Sequence, residues 1–252
     1  MLALIIAAII LFYVLGVLLI VRAAAGRFFS EFPFFFSYLI YLLATSVLIN
    51  LADITGARFY ATAYWWRFFT LAVAEFALLL EIADHLFRPY PAIRKLGRLI
   101  TLGITLVFLV LYIVPPLLES RPSSLAILEL MKRSALTKGM VIVALLAAAR
   151  YYRVRVNRNV AGLILGLAVD LTISIANFAL AEIYGRELYG PIFSTIGPLK
   201  STLCMLIWTV ALWRPEPDFE PAREFAAARV PSEAVPNRLR KFNSVLTRLF
   251  RK

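Results

Sequence analysis

Three ionisable residues lie near the middle of apolar stretches, where they could bind a ligand or carry protons: Glu75, Asp170 and Lys200. A charge at the centre of a bilayer costs roughly 2.5–3.5 kcal/mol on insertion scales, so such groups must pair, lose their charge or contact water. We expect a polar centre in which Lys200 pairs with Asp170 or Glu75. The remaining hydrogen bonds would come from the nearby polar residues Ser174, Asn177 and Ser201. The alternative is an ion pair that only fixes helix packing.

The stretch around Asp170 carries a one-sided pattern of small and polar residues. Its members recur at helical spacing: Gly162, Gly166, Asp170, Ser174 and Asn177. Lipid does not satisfy polar groups, and small residues allow helices to approach closely. The pattern therefore predicts a helix face that packs against other helices.

A second charged cluster lies near the end of the segment that contains Glu75. Glu81, Asp84 and His85 fall within about one helical turn, and Arg88 and Arg94 follow closely. We interpret the cluster as a set of salt bridges at the cytoplasmic interface, with a gating role as the alternative. Further along, Lys138 is expected to extend toward the outer interface, as long basic side chains do near membrane boundaries.

Catalytic and metal-binding signatures are missing from the sequence. It has no Gly-x-Ser-x-Gly, His-Glu-x-x-His or phosphate-binding glycine-rich motif. The single Cys204 and single His85 exclude an internal disulfide and make a metal site unfavourable. We predict no catalytic residues, no metal and no cofactor, although a pair of intramembrane carboxylates keeps the enzyme question open.

The composition predicts an all-α integral membrane protein. The chain is 62% hydrophobic, and its mean hydropathy is +0.81. Such values and long uncharged stretches are typical of membrane spans. We predict a bundle of seven transmembrane helices within residues 1–213, the first being a retained signal anchor. The spans are expected at 2–21, 32–50, 62–87, 97–117, 134–151, 160–183 and 191–213.

The distribution of basic residues predicts the orientation of the bundle. The formal net charge is +12, and Lys and Arg are concentrated in every second connection and in the tail. Cytoplasmic loops carry this excess, so the N-terminus is expected outside and the C-terminus in the cytoplasm of a multi-pass protein of the plasma (inner) membrane. Topology and anionic lipid already explain the charge, so a nucleic-acid partner is not predicted.

The C-terminal tail divides into two parts. Residues 214–236 are rich in Pro, Glu and Ala and are interpreted as a flexible cytoplasmic linker. Residues 237–252 place apolar residues on one face of a basic helix, which is typical of a helix lying on an anionic inner leaflet. A groove on a cytoplasmic partner protein is the alternative. The expected lipid headgroup contacts are Arg238, Arg240, Lys241, Arg248, Arg251 and Lys252.

Parts of the sequence resemble two families of membrane proteins. The stretch from Tyr64-Trp65 through Glu75 to residues 86–98, with residues 208–217, resembles an uncharacterised family of bacterial seven-helix membrane proteins. That resemblance implies a bacterial plasma membrane and no defined activity. The lysine of the last segment is similar to the retinal-binding lysine of microbial rhodopsins. That family has aspartates where this chain has Thr70 and Ile196, which puts retinal binding in doubt.

These observations favour a non-enzymatic function. We expect a sensor, a receptor-like module or a membrane scaffold that responds to a small ligand, a lipid or the membrane state through the polar centre. A proton-coupled transporter that uses Glu75 and Asp170 is the first alternative, and a retinal protein is the second. The expected partners are membrane lipids, a small ligand and a cytoplasmic protein.

Overall fold

The computed structural model describes residues 2–26, 28–54, 60–88, 90–113, 124–152, 154 and 156–214, and no strand occurs among them. This confirms the all-α prediction. The helices are α1 (Leu2–Gly26), α2 (Phe28–Glu31), α3 (Pro33–Ile54), α4 (Tyr60–Leu86), α5 (Pro91–Phe108), α6 (Ser124–Tyr151) and α7 (Arg158–Ala211). A short π-helical segment, Leu109–Ile113, follows α5 directly. The predicted tail elements, 214–236 and 237–252, lie outside the described residues except for Arg214.

The helical backbone of α7 folds back on itself. A straight helix of 54 residues would extend about 80 Å. Yet Lys200 Nζ lies 2.5 Å from Ser174 Oγ, and Trp208 Nε1 donates to the Leu163 carbonyl at 3.4 Å. We call residues 158–184 the first arm and residues 195–211 the second arm. The two arms pack antiparallel and correspond to the sixth and seventh segments expected from the sequence.

Successive helices of the bundle run in opposite directions. Asn50, near the end of α3, donates to Tyr13 at the middle of α1, and Leu43, earlier in α3, packs against Gly16, later in α1. Glu81, near the end of α4, accepts from Phe35 at the start of α3. Similar pairings join α4 with α5, and α6 with the first arm. One end of the bundle therefore holds the starts of α1 and α4, and we call it the first end. The second end holds Gly26, Pro33 and Leu86.

Four helical stretches among the described residues are long and apolar enough to cross a membrane: Ala3–Gly26, Pro33–Ala52, Glu129–Tyr151 and Arg158–Tyr184. Thr195–Ala211 is apolar but shorter. Helices α4 and α5 each carry several charged residues, which lowers their hydropathy. The protein is thus membrane-associated by the length and composition of its helices. The count of seven spans and the orientation stay predictions.

The outer surface of α1 is apolar. Eight large aliphatic side chains are exposed along it: Leu4, Ile6, Ile10, Leu11, Val14, Val17, Leu18 and Val21. An exposed apolar surface of this length marks contact with lipid or with another protein. Because the row runs along nearly the whole helix, it fits the hydrocarbon of a bilayer.

Aromatic packing holds the interior of the bundle together. Six phenylalanines are less than 2% exposed: Phe32, Phe35, Phe36, Phe76, Phe87 and Phe108. Phe35 contacts the ring of Trp208 edge-on at 5.3 Å between centroids, which joins α3 to the second arm. Phe76 packs on Phe108 at 5.0 Å and joins α4 to α5. Such aromatic pairs add roughly 0.5–1.5 kcal/mol beyond the burial of their area.

Two glycines bring the arms of α7 into close contact near the second end. A Cβ atom at Gly162 would overlap the side chain of Ala211, and one at Gly166 would overlap the indole of Trp208. The stripe of small and polar residues on the first arm therefore packs against the second arm. Any larger residue at these two positions would force the arms apart.

We predict that Gly166→Ala lowers the free energy of unfolding by about 1–3 kcal/mol, because the added methyl group overpacks the contact with Trp208. Reversible unfolding in mild detergent measures the change. Gly103→Ala is the matched control, since nothing lies within 4 Å of a Cβ added there. It should be neutral or stabilise by up to about 1 kcal/mol through helix propensity. Equal effects of the two variants would contradict the packing argument.

Candidate functional site

A cavity of about 310 Å³ lies inside the bundle, between α3, α4, α6 and both arms of α7, with Phe12 of α1 at its edge. Its lining includes ionisable residues from four of these segments: Arg67, Glu75, Lys138, Asp170 and Lys200. The polar residues Tyr38, Ser174, Asn177 and Ser201 also face it. All six members of the polar centre expected from the sequence thus line one cavity.

The first ion pair of the cavity joins the two arms. Lys200 Nζ lies 3.0 Å from Asp170 Oδ1 and donates to Ser174 Oγ at 2.5 Å. Asp170 was one of the two partners expected for Lys200. The Cys204 thiol lies 4.0 Å from the same carboxylate oxygen of Asp170. The side chains of Lys200 and Asp170 are each partly exposed, so the ion pair remains accessible from the cavity.

The second ion pair differs from the sequence interpretation. Glu75 pairs with Lys138, whose side chain is only 8% exposed, and not with Lys200. The prediction that Lys138 extends to the outer interface is therefore wrong. Tyr38 Oη lies 3.5 Å from the other oxygen of Glu75. The attraction between Lys138 and Glu75 is strong because water screens charges little inside the bundle, and it offsets the cost of removing the ammonium group from water.

Arg67 lies on α4, two turns before Glu75, and also lines the cavity. Its Nη2 donates to Ser46 Oγ at 2.9 Å, and its Nε donates to Thr45 Oγ1 at 3.3 Å. These described contacts are to neutral hydroxyls of α3. The guanidinium has five donor hydrogens, so the two contacts leave further donor capacity beside the cavity.

The arms of α7 separate toward the cavity. Near the second end they touch at Gly162 and Gly166, whereas nothing lies within 4 Å of a Cβ added at Gly197. Gly197 and Asn177 lie across from each other, one on each arm, and both line the cavity. Because the arms are closely packed near the second end and separate toward the first end, the cavity lies in the half of the bundle nearer the first end.

A second depression opens beside the cavity, and we call it the lateral groove. It has a volume of about 270 Å³ and lies between α1, α3 and the second arm. Phe12, Leu42, Arg67 and Ser201 line both the cavity and the groove. The two spaces therefore meet at Arg67.

The charged cluster near the second end is only partly the salt-bridge set expected from the sequence. Asp84 pairs with Arg94, with Nε 2.6 Å from Oδ1, and Arg98 lies 3.6 Å from the same carboxylate. The hydrogen bonding that the Arg94 guanidinium donates to the Asp84 carboxylate raises the pKa of Arg94, which keeps it charged. The backbone N–H of Arg88 donates to the His85 carbonyl.

Glu81 does not belong to these salt bridges, contrary to the prediction. Its two carboxylate oxygens accept from the backbone N–H groups of Phe34 and Phe35, at 2.9 and 2.8 Å. It thus caps the start of α3 from another helix, where unpaired N–H groups and the helix dipole favour a negative charge. His85 contacts the Glu81 carbonyl through Nδ1 and stacks on Phe32. Both residues therefore hold α3 against α4.

The cavity also includes residues that the sequence interpretation did not place there, among them Tyr64, Cys204 and Trp208. Cys204 and Trp208 lie one and two turns after Lys200 on the second arm, so helical spacing could have indicated them. No group of three or more potential metal ligands occurs among the described residues. The site can bind and orient charged or polar groups, and we assign no covalent chemistry to it.

Comparison with known proteins provides no further assignment. No protein family, no curated protein and no solved structure matches the chain.

We predict that Lys138→Met destabilises the protein by about 3–5 kcal/mol, because it leaves Glu75 without its counter-charge in the interior. The double variant Glu75→Gln/Lys138→Met should recover a large part of the loss. Unfolding of the four proteins of this cycle measures the coupling.

Lys132→Met is the control. Its partner Glu182 is 64% exposed, so loss of this surface pair should change the stability far less than loss of Lys138 does. If the double variant lost as much stability as the two single changes added together, Glu75 and Lys138 would not be coupled.

Proposed function

We propose that this chain is a seven-span membrane protein of the sensor or receptor type, and that its central cavity binds a small ligand. The observation that carries the proposal is the set of five charged residues that line one cavity from four helical segments. A ligand that displaced or joined either ion pair would change how α4, α6 and the arms of α7 attract each other. That difference in interaction energy is what a ligand needs to shift a conformational equilibrium.

The distribution of charges supports the proposed orientation. Basic residues gather at the second end: Arg22, Arg88, Arg94, Lys95, Arg98, Arg150 and Arg158. At the first end, Lys132 and Arg133 contact the acids Glu182 and Glu129. An excess of Lys and Arg marks the cytoplasmic side, so the second end is proposed to face the cytoplasm and the N-terminus the outside.

A purely structural role fits the Asp170–Lys200 pair less well than the more enclosed Glu75–Lys138 pair. A pair that served packing alone would be enclosed by neighbouring side chains, since protein interiors are close-packed. Here Asp170 and Lys200 keep 26% and 21% of their side chains exposed and face open space. If the following experiment found no ligand, it would support a scaffold function instead.

We predict that a defined small molecule co-purifies with the wild-type protein in neutral nanodiscs and is lost in Lys200→Met, because Lys200 lines the cavity. Mass spectrometry of extracted small molecules measures this. Lys132→Met, whose lysine lies outside the cavity, should retain the molecule. Recovery of retinal that is absent from Lys200→Met would identify the chromophore alternative. Bulk lipid alone, equal in all samples, would contradict the receptor proposal.

Proton-coupled transport is the second candidate, favoured by two carboxylates, Glu75 and Asp170, that line the same cavity. A transported proton would have to exchange between such groups and the lysines that neutralise them. We expect that, if this function is correct, liposomes show a pH-driven flux that Glu75→Gln abolishes and Glu129→Gln preserves, since Glu129 pairs outside the cavity. A wild-type flux no larger than that of empty liposomes would exclude it.

A further inference from the structure

The charges that line the cavity do not balance. Three basic residues, Arg67, Lys138 and Lys200, face two acidic residues, Glu75 and Asp170. Each acid contacts one lysine, so the surplus positive charge is that of Arg67. A guanidinium in an apolar bundle attracts an anion strongly, because the interior screens charge less than water does. A carboxylate or phosphate group could bind it through two parallel hydrogen bonds.

Arg67 lies where the cavity opens into the lateral groove. Five of the ten residues that line the groove are apolar: Ile9 and Phe12 from α1, Leu42 and Ile49 from α3, and Pro198 from the second arm. A ligand whose charged group contacted Arg67 would therefore have apolar side chains of three helical segments beside it. That combination suits a molecule with one anionic head and one hydrocarbon chain.

Tyr13 and Asn50 form a polar link across the groove. Asn50 Nδ2 donates to Tyr13 Oη at 3.0 Å, both residues line the groove, and both contact atoms belong to side chains. The link joins α1 to α3 and involves no backbone group. Rotation of the two side chains would open or close the space between these helices without unfolding either one.

We propose that the ligand is a single-chain amphiphile with one anionic head group, a carboxylate or phosphate monoester. Its head binds Arg67 at the edge of the cavity and its chain lies in the lateral groove. It enters from the lipid side, between α1 and α3. This inference rests on the proposed ligand-binding function and adds to it the chemical class of the ligand and its route.

The test is binding of radiolabelled hexadecanoate to the full-length protein in neutral phosphatidylcholine nanodiscs at pH 8, with empty nanodiscs as background. We expect saturable binding that hexadecyl phosphate displaces and that hexadecanol, of equal chain length but uncharged, does not. Arg67→Gln should weaken binding at least ~10-fold, the usual range for losing a hydrogen bond to a charged group. Arg67→Lys, which keeps the charge, should bind better than Arg67→Gln.

Arg98→Gln is the matched control, because Arg98 is exposed and lies near the second end, away from the cavity. It should bind as the wild type does. If hexadecanol displaced bound hexadecanoate as effectively as hexadecyl phosphate does, the proposal of an anionic head group would be overturned. This comparison needs only the wild-type protein. Unchanged binding in a folded Arg67→Gln would overturn the assignment of the head group to Arg67.

The outcome also separates this inference from the proposed function. Absence of saturable hexadecanoate binding overturns the inference. If a co-purified molecule is nevertheless lost in Lys200→Met, the receptor proposal stands with a ligand of another class. If no molecule is found either, both fail.

Discussion

Pairing of charges inside the bundle, between helical segments, is the constraint on which this structure depends. Glu75 on α4 contacts Lys138 on α6, and Asp170 contacts Lys200 between the arms of α7. Each pair joins segments that are separated in the chain, so each fixes the rotation of two helices about their axes as well as their distance. A helix rotated by a quarter turn would leave a charge facing lipid or packed carbon, at a cost of several kcal/mol. The pairs thus specify one arrangement of faces, which apolar packing alone specifies weakly.

Two glycines and a tryptophan add close packing to the arrangement that the ion pairs specify. Gly162 and Gly166 let the arms approach until Trp208 packs between them, and Trp208 in turn contacts Phe35 of α3. The polar residues of the stripe come next along the arm, where the helices begin to separate. Close packing therefore gives way to open space along a single helix face, from Gly162 and Gly166 to the polar residues of the stripe. The cavity results from this change in residue size along the helix face.

Much of the bundle is predictable from the sequence, because helix-forming apolar stretches and a one-sided polar stripe depend on local spacing. The stripe around Asp170 follows from that spacing, and Asp170 is one of the two partners that the sequence predicts for Lys200. The pairing of Lys138 with Glu75 does not follow from local spacing. In the sequence, Lys138 lies near Glu129 and near an expected membrane boundary. Only the position of α6 along its axis relative to α4 brings Lys138 to Glu75. Glu81 is a similar case. The nearest basic residues in the sequence are His85 and Arg88, yet its carboxylate binds two backbone N–H groups more than 40 residues away.

The cap that Glu81 provides has a consequence for biosynthesis. During translation α3 leaves the ribosome before α4, so the N–H groups of Phe34 and Phe35 have no carboxylate to accept their hydrogen bonds until α4 follows. In hydrocarbon these groups would be left unsatisfied, whereas near the headgroups water can serve them. We therefore expect the start of α3 to stay at the interface until Glu81 is in place. The two helices would then reach their final depth together, and the order of the chain would become part of its assembly.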